Sequence, residues 1–190
     1  MGEFIADRFE LPYDEARRCQ KRLFRTHGTT LRGLMVEYGV NPVSFLDYVH
    51  AINLSVLSPD ARMAKALAAL PGRKLVYTNA STAHARAVLD RIGLADQIEL
   101  IHDITAADFL PKPDPRPYQA LIQRHEIDPT RACMVEDMAA NLIPAHTLGM
   151  ATVWVRSASR WGQPDPDMLP YIDHTTDDLA GWLGSLAERG

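Results

Sequence analysis

The chain has 190 residues, 46% apolar and 23% charged, enough to bury one sizeable core in one large domain or a domain with a small appendage. Lys plus Arg (20) against Asp plus Glu (24) gives a net charge of −4, and with aromatics at only 7% this disfavours a general nucleic-acid surface, an anionic-membrane surface or a base-stacking platform. Cys19 and Cys133 lack a CxxC context, the charged start MGEFIADRFE has no apolar signal core, and the longest uncharged run, Met138 to Val155, is broken by Asn141, Pro144, His146 and Gly149, so the expectation is a cytoplasmic protein without disulfide, zinc framework or membrane span.

In chain order, Met1, Phe4, Ile5 and Phe9 fall at helical spacing, so the chain opens inside an amphipathic helix with no capping residue. Pro12, with Asp14 and Glu15 in the first turn, starts a helix running to about Thr26. Thr29 or Thr30 caps a short helix carrying Leu31, Leu34 and Met35, which Gly39 ends. Asn41-Pro42 reads as N-cap and first position of a helix through Phe45, Tyr48 and Val49, and Ser58-Pro59-Asp60 opens another that Pro71-Gly72 closes. No strand pattern interrupts this stretch, which predicts a small helical bundle over residues 1–57, with the boundary between Asn53 and Ser58.

From Arg73 the rhythm changes. Short apolar runs at Lys74–Thr78, Ile98–His102, Ala132–Val135 and Ala151–Val155, and a weaker one at Tyr171–His174, predict strands. Helices are expected between them: one capped by Ser81 and ended by Gly93, one over Pro117–His125, one over Asn141–Leu148, and a last one from Thr175 or Thr176 to about Arg189. Strands alternating with helices imply parallel βαβ units with both sheet faces covered, over residues 58–190.

Ligands of an open parallel sheet bind beyond the carboxyl ends of its strands. There the sequence places Thr78-Asn79, then Lys112 in the loop after the second run, then Glu136-Asp137. Each alone has an ordinary reading as a turn residue, a solvated loop charge or a helix cap. Adjacent carboxylates at a core edge repel, however, and call for a cation or donors. The spacings of 34 residues (Thr78 to Lys112) and 25 residues (Lys112 to Asp137) are each about one βα unit. A hydroxyl, a lysine and paired carboxylates on one rim are the components of a metal-assisted phosphate site.

The series LVYTN, PKPDPRPY and CMVEDMAANLIPAHTLGMATVWV, within residues 73–156, resembles motifs two, three and four of the haloacid-dehalogenase-like (HAD) hydrolase superfamily. HGTTLRGLM, with the later PVSFLDYVH, resembles the cap of pyrimidine 5′-nucleotidase-like members. The resemblance implies a Rossmann-like α/β core with a helical cap. In it Thr78 hydrogen-bonds the phosphoryl group, Asn79 adds to its cradle, and Lys112 pairs with both nucleophile and phosphate. Asp137 and Glu136 would hold Mg²⁺ with Asn141 orienting them, and His27, Gly28, Thr29 and Thr30 would face the substrate. HGTT has an equal reading as a helix end followed by an N-cap.

In the family's chemistry an Asp attacks phosphorus to give an aspartyl-phosphate, and a second Asp two residues on serves as acid and base. Both belong to a motif one, an apolar strand ending in Asp-x-Asp-x-Thr ahead of the cap, which these residues do not contain. Asp165 and Asp167 have the spacing but no apolar strand before them, Asp173 has no partner two positions on, Asp7 and Asp14 fall on helices, and Asp103 and Asp108 are five apart. Three explanations compete: a late start of the sequence, a shortened form that keeps a phosphate rim without catalysis, or a strand supplied by another chain. Intact Thr78, Lys112, Glu136 and Asp137 favour the first.

The expected substrate is therefore a small phosphomonoester, a pyrimidine nucleotide such as UMP or CMP. The alternatives are a sugar phosphate or other small phosphomonoester, and a catalytically silent phosphometabolite-binding module. No nucleic acid or membrane partner is expected, and the protein is expected to be a monomer or homodimer. His50, His84, His102, His125, His146 and His174 lack paired ligand spacing. Trp154 and Trp182 fit core positions, Trp161 a loop near the rim, Cys19 a helix face and Cys133 a buried strand position.

Overall fold

A computed structural model describes residues 1–157, 159 and 162–188. Four helices come first: α1 (Gly2–Phe9), α2 (Tyr13–His27), α3 (Thr30–Tyr38) and α4 (Pro42–His50). Their ends are chemically marked. The Thr29 hydroxyl accepts from the Arg32 N–H at 3.1 Å to start α3, and Gly39 ends that helix in the left-handed region at φ 61°. Asn41 Oδ1 accepts from the Val43 and Ser44 N–H groups, with Pro42 at the first position of α4.

Ile5, Leu23, Leu34 and Phe45 are the buried centre of this bundle. Ile104, from a loop in the second half of the chain, is buried in the same cluster, and Phe109 packs against it. The helical half is thereby seated on the loop that follows the second strand. α3 approaches α2 closely enough that a Cβ on Gly33 would come within 2.7 Å of Leu23 Cβ.

The second half alternates helices with strands: α5 (Ala61–Ala69), β1 (Leu75–Tyr77), α6 (Thr82–Ile92), β2 (Leu100–His102), α7 (Pro115–Arg124), β3 (Cys133–Glu136), α8 (Leu142–Thr147), β4 (Ala151–Val155), β5 (His174–Thr176) and α9 (Leu179–Ala187). Every strand pair is parallel, as the βαβ reading requires. The sheet comes in two pieces, β1 with β2 and β3-β4-β5, and no strand ladder among the described residues joins β1 to β3.

Four expectations shift. The last strand begins at His174 rather than Tyr171, because a 3-10 turn with Pro170 inside occupies Pro166–Tyr171. Asp173 instead reaches β4 by its side chain, accepting from the Thr152 N–H at 2.7 Å. Asp178, not Thr175 or Thr176, caps the last helix, since both threonines are still in β5. α7 starts at Pro115 because Asp114 is its cap. Cys133 is exposed at the start of β3 rather than buried. Trp154 is buried as expected, and Trp161 lies outside the described residues. No helix among those described is long and apolar enough to cross a membrane.

Candidate active site

The carboxyl ends of β1 and β3 face a common rim, and Lys112 spans them. Its Nζ donates to the Tyr77 carbonyl at 3.1 Å and pairs with Glu136 Oε2. Both side chains of this pair are only 9% exposed, so the ions meet where water screens them little. The ammonium also lies 5.1 Å from the centre of the Tyr77 ring.

Asn79 sets the position of that lysine. Its Oδ1 accepts from the Lys112 N–H at 2.9 Å and its Nδ2 donates to the Lys112 carbonyl at 3.5 Å. Thr78 is tied to the turn: its N–H donates to the His102 carbonyl, and its Oγ1 accepts from the Ala80 N–H at 3.0 Å. Asp103, a buried carboxylate at the end of β2, accepts from the Thr82 N–H and hydroxyl and from the Ala106 N–H. The two loops of the β1–β2 half are thus bolted together beside Thr78.

The two acidic neighbours differ. Burial pushes the Glu136 carboxyl up, but the Lys112 charge and the bonds it accepts from Asp137 and Met138 outweigh that and hold it below its ordinary value. Asp137 is exposed, and its hydrogen bond with Glu136, followed by burial and the Glu136 charge, raises its carboxyl. Glu136 Oε1 accepts from the Asp137 and Met138 N–H groups, so both of its oxygens are engaged. Asp137, exposed where Glu136 is not, is the carboxyl of the two that a ligand can reach more easily.

The Asp137 backbone is fixed from the β4 side. Trp154 Nε1 donates to its carbonyl at 3.0 Å, and Gly162 lies so close that a Cβ there would sit 2.4 Å from the same oxygen. Asn141 is buried just before α8, and its carbonyl accepts from the Tyr118 hydroxyl at 2.7 Å. Tyr118 in turn meets the Tyr77 ring edge-on at 5.1 Å. Asn141 therefore anchors the helix beneath the rim.

The structure gathers Thr78, Asn79, Lys112, Glu136 and Asp137 at the rim. His27, Thr29 and Thr30 lie apart from that cluster at the α2–α3 corner. There His27 Nε2 meets Glu37 at 2.7 Å, the Thr29 hydroxyl serves as the α3 cap, and Thr30 is buried at 3% exposure. His27 and Gly28 line a cleft between that corner and the Lys112 loop. Asp103, Asp114, Trp154 and Gly162 were not anticipated as shaping the site. The Asp-Pro pair at 114–115 is a visible helix-start signal, whereas the close approach of Gly162 leaves no mark in local sequence.

Among the described residues no group of three or more His, Cys, Asp or Glu side chains gathers as a metal cage. The rim suits one hard-oxygen contact through Asp137. That matches a cation such as Mg²⁺, which keeps most of its ligands as waters and phosphate oxygens.

A parallel sheet with a lysine and carboxylates at its carboxyl rim, carrying a helical bundle on the loop after β2, is an α/β fold of the HAD type. The model of the haloacid dehalogenase-like hydrolase family matches residues 9–149, and the chain belongs to that family. It is 38% identical over 123 residues to a phosphoglycolate phosphatase of Rhodospirillum rubrum, covering 63% of this chain and 49% of that protein. It is 30% identical over 131 residues to a phosphoglycolate phosphatase of Pasteurella multocida, covering 67% of this chain and 56% of that one. The chain thus spans about half the length of these relatives.

Solved structures share the fold. An HAD phosphatase from Thermococcus onnurineus superposes with a TM-score of 0.62 at 17% identity, covering 97% of this chain and 86% of that one. The L-2-haloacid dehalogenase of Xanthobacter autotrophicus with chloropropionic acid covalently bound gives 0.58 at 18% identity, covering 92% and 82%.

Proposed function

We propose that this chain is the phosphoryl-binding part of a Mg²⁺-dependent phosphate-monoester hydrolase, with residues 58–190 as core and residues 1–57 as cap. The observation that carries it is the Lys112–Glu136 pair at the mouth of the divided sheet, with the exposed carboxyl of Asp137 beside it.

Donor bookkeeping assigns the roles. A lysine has three N–H donors, and Lys112 spends two of them on Tyr77 and Glu136, which leaves one for a phosphoryl oxygen. The Thr78 oxygen accepts from Ala80, so its own proton is free to donate to the same group. Both polar ends of Asn79 hold the Lys112 peptide, which makes Asn79 a positioning residue for the lysine. A Mg²⁺ ion held by Asp137 would neutralise phosphoryl charge when bound. Glu136 holds the Lys112 ammonium in place.

The nucleophile is proposed to come from a strand lying between β1 and β3. Lys74 and Thr78 bond to β2, so Leu75 and Tyr77 turn their peptide groups the other way. Ala132 bonds to β4, which likewise turns Cys133 and Val135 away from it. A parallel strand placed there, ending in Asp-x-Asp-x-Thr, would bring its first carboxylate beside Lys112 and Asp137. Asp165 and Asp167, the spaced pair in this sequence, belong instead to the 3-10 turn before β5 and its cap.

The finer reading, a pyrimidine nucleoside 5′-monophosphate such as UMP or CMP, rests on HGTTLRGLM and PVSFLDYVH in the cap. A second reading, a smaller phosphoester, is favoured by the identity to two phosphoglycolate phosphatases. The test is phosphate release from UMP, CMP, 2-phosphoglycolate and a sugar phosphate, with and without Mg²⁺. The protein assayed would carry this chain together with an apolar strand ending in Asp-x-Asp-x-Thr. Mg²⁺-dependent release from at least one ester is expected. No release from any of them would end the hydrolase reading, and binding without release would leave a phosphometabolite-binding module.

A further inference from the structure

Tyr77 ends β1 with a hydroxyl that is buried and, among the described residues, has no hydrogen-bond partner. Burial first, then the charges of Asp114 and Glu136, push its pKa up, so the phenol stays protonated and neutral. A buried hydroxyl that has lost its water without finding a partner is a cost to the fold, so the hydroxyl does not account for the residue. The ring does have partners. Tyr118 of α7 meets it edge-on at 5.1 Å and 85°, and His102 of β2 at 5.5 Å and 73°, which braces it from two elements. Tyr118 is itself fully buried and tied by its hydroxyl to the Asn141 carbonyl. What the braced ring presents to the rim is its face, and the Lys112 ammonium lies over that face, 5.1 Å from the ring centre.

We propose that Tyr77 is a positioning residue for Lys112, its ring face holding the ammonium where a phosphoryl oxygen would meet it. The Tyr77 carbonyl and Glu136 each take one N–H of the lysine. A ring face attracts the whole cation through its quadrupole and has no lone pair to claim the remaining donor. The Lys112 side chain is only 9% exposed, so little water competes for its charge and the attraction is weakly screened. Tyr77 thus acts on the lysine twice, by its carbonyl at 3.1 Å and by its ring. That the lysine is positioned for phosphate rests on the phosphatase reading, whereas the hold of the ring on the ammonium stands apart from it.

The test replaces Tyr77 in the full chain by phenylalanine, then by phenylalanines carrying one and three ring fluorines, which draw electron density from the face while changing ring size little. Tyr77→Phe, which drops the unpartnered hydroxyl, is the reference. From it to the trifluoro form the unfolding constant in urea should rise about fivefold, as for a partly desolvated cation–π contact, with the monofluoro form between. In a Lys112→Met, Glu136→Gln background the series should be flat, because no cation is left to feel the ring. Calorimetric titration with inorganic phosphate in Mg²⁺ should show affinity falling in the same order. Equal unfolding constants across the series with Lys112 present overturn the proposal. An equal rise in the background without the charge does so too, since it would mark the ring as packing alone, and so does phosphate affinity indifferent to fluorination. A stability slope with phosphate bound by none of the forms brings down the phosphatase reading and leaves the ring–ammonium contact standing.

Discussion

β1 and β4 are both short parallel strands of one α/β half, yet their surroundings differ. Thr152, Val153 and Trp154 of β4 are buried, whereas Leu75, Val76 and Tyr77 of β1 are all half-exposed. β4 has β3 on one side and β5 on the other, while among the described residues β1 is paired on one side alone. A strand buried on both faces in a parallel sheet also needs a neighbour on each edge to satisfy its peptide groups. β3 shares the condition of β1, starting at an exposed Cys133. The contrast sets the β1–β3 seam apart: no ladder among the described residues joins the two strands, and Lys112 links them through its side chain.

That contrast can be broken first at Lys112. Lys112→Met removes one partner of a pair that is 9% exposed on both sides, stranding the Glu136 charge. Loss of one member of a buried ion pair costs about 3–5 kcal/mol. Urea unfolding should show a loss of that order, and Glu136→Gln introduced beside Lys112→Met should recover part of it. A loss below about 1 kcal/mol, the range of surface pairs, would mean that the seam is held by other contacts.

A smaller effect separates the two strands directly. Val153→Ala removes two methyl groups from a residue with 0% exposure, which costs about 2 kcal/mol. Val76→Ala, at a half-exposed position, should cost less than half as much. Equal losses in urea midpoints would show that β1 is as well covered as β4. Gly33→Ala is the helical counterpart: its Cβ would meet Leu23 at 2.7 Å, so about 1–3 kcal/mol of overpacking should appear in a bundle whose other interfaces are untouched.

What was legible in the sequence follows the same division. Thr78, Lys112, Glu136 and Asp137 could be read as one site because parallel βαβ units place every strand's carboxyl end on one rim, so spacing alone groups them. Caps were legible too: Ser81, Asn41 and Gly39 act through neighbours two to five residues away. The partner choices were not. That Asn79 holds the Lys112 peptide, that Lys112 takes Glu136 and leaves Asp137 exposed, and that Gly162 presses on Asp137 are contacts across 24 to 33 residues decided by packing. The exposure of Cys133 was missed because an apolar strand pattern reports which faces could be covered, and the seam concerns an edge.

The smallest effect concerns pH, and it belongs to the β1–β2 half. His102 is 1% exposed at the end of β2, its Nδ1 3.2 Å from His125 Nε2 and its ring edge-on to Tyr77. Burial first, then the charges of His125 and Arg124, lower its pKa, with Asp103 opposing, and His125 is lowered as well, chiefly by burial. In the unfolded chain both should titrate near the ordinary value of about 6.5. Below that pH the unfolded chain takes up protons that the fold resists, so stability is complete above about 6.5 and falls as pH drops toward the folded values. The lowered carboxylates, such as Asp103, lose their contribution only below about pH 4, so the window from 7.5 to 5.5 isolates the histidines. Urea midpoints should fall across that window, and His102→Phe, which keeps an aromatic ring against Tyr77, should flatten part of the slope. An unchanged slope would show that His102 accepts its proton in the folded chain and that the β2 end is more open to water than its burial implies.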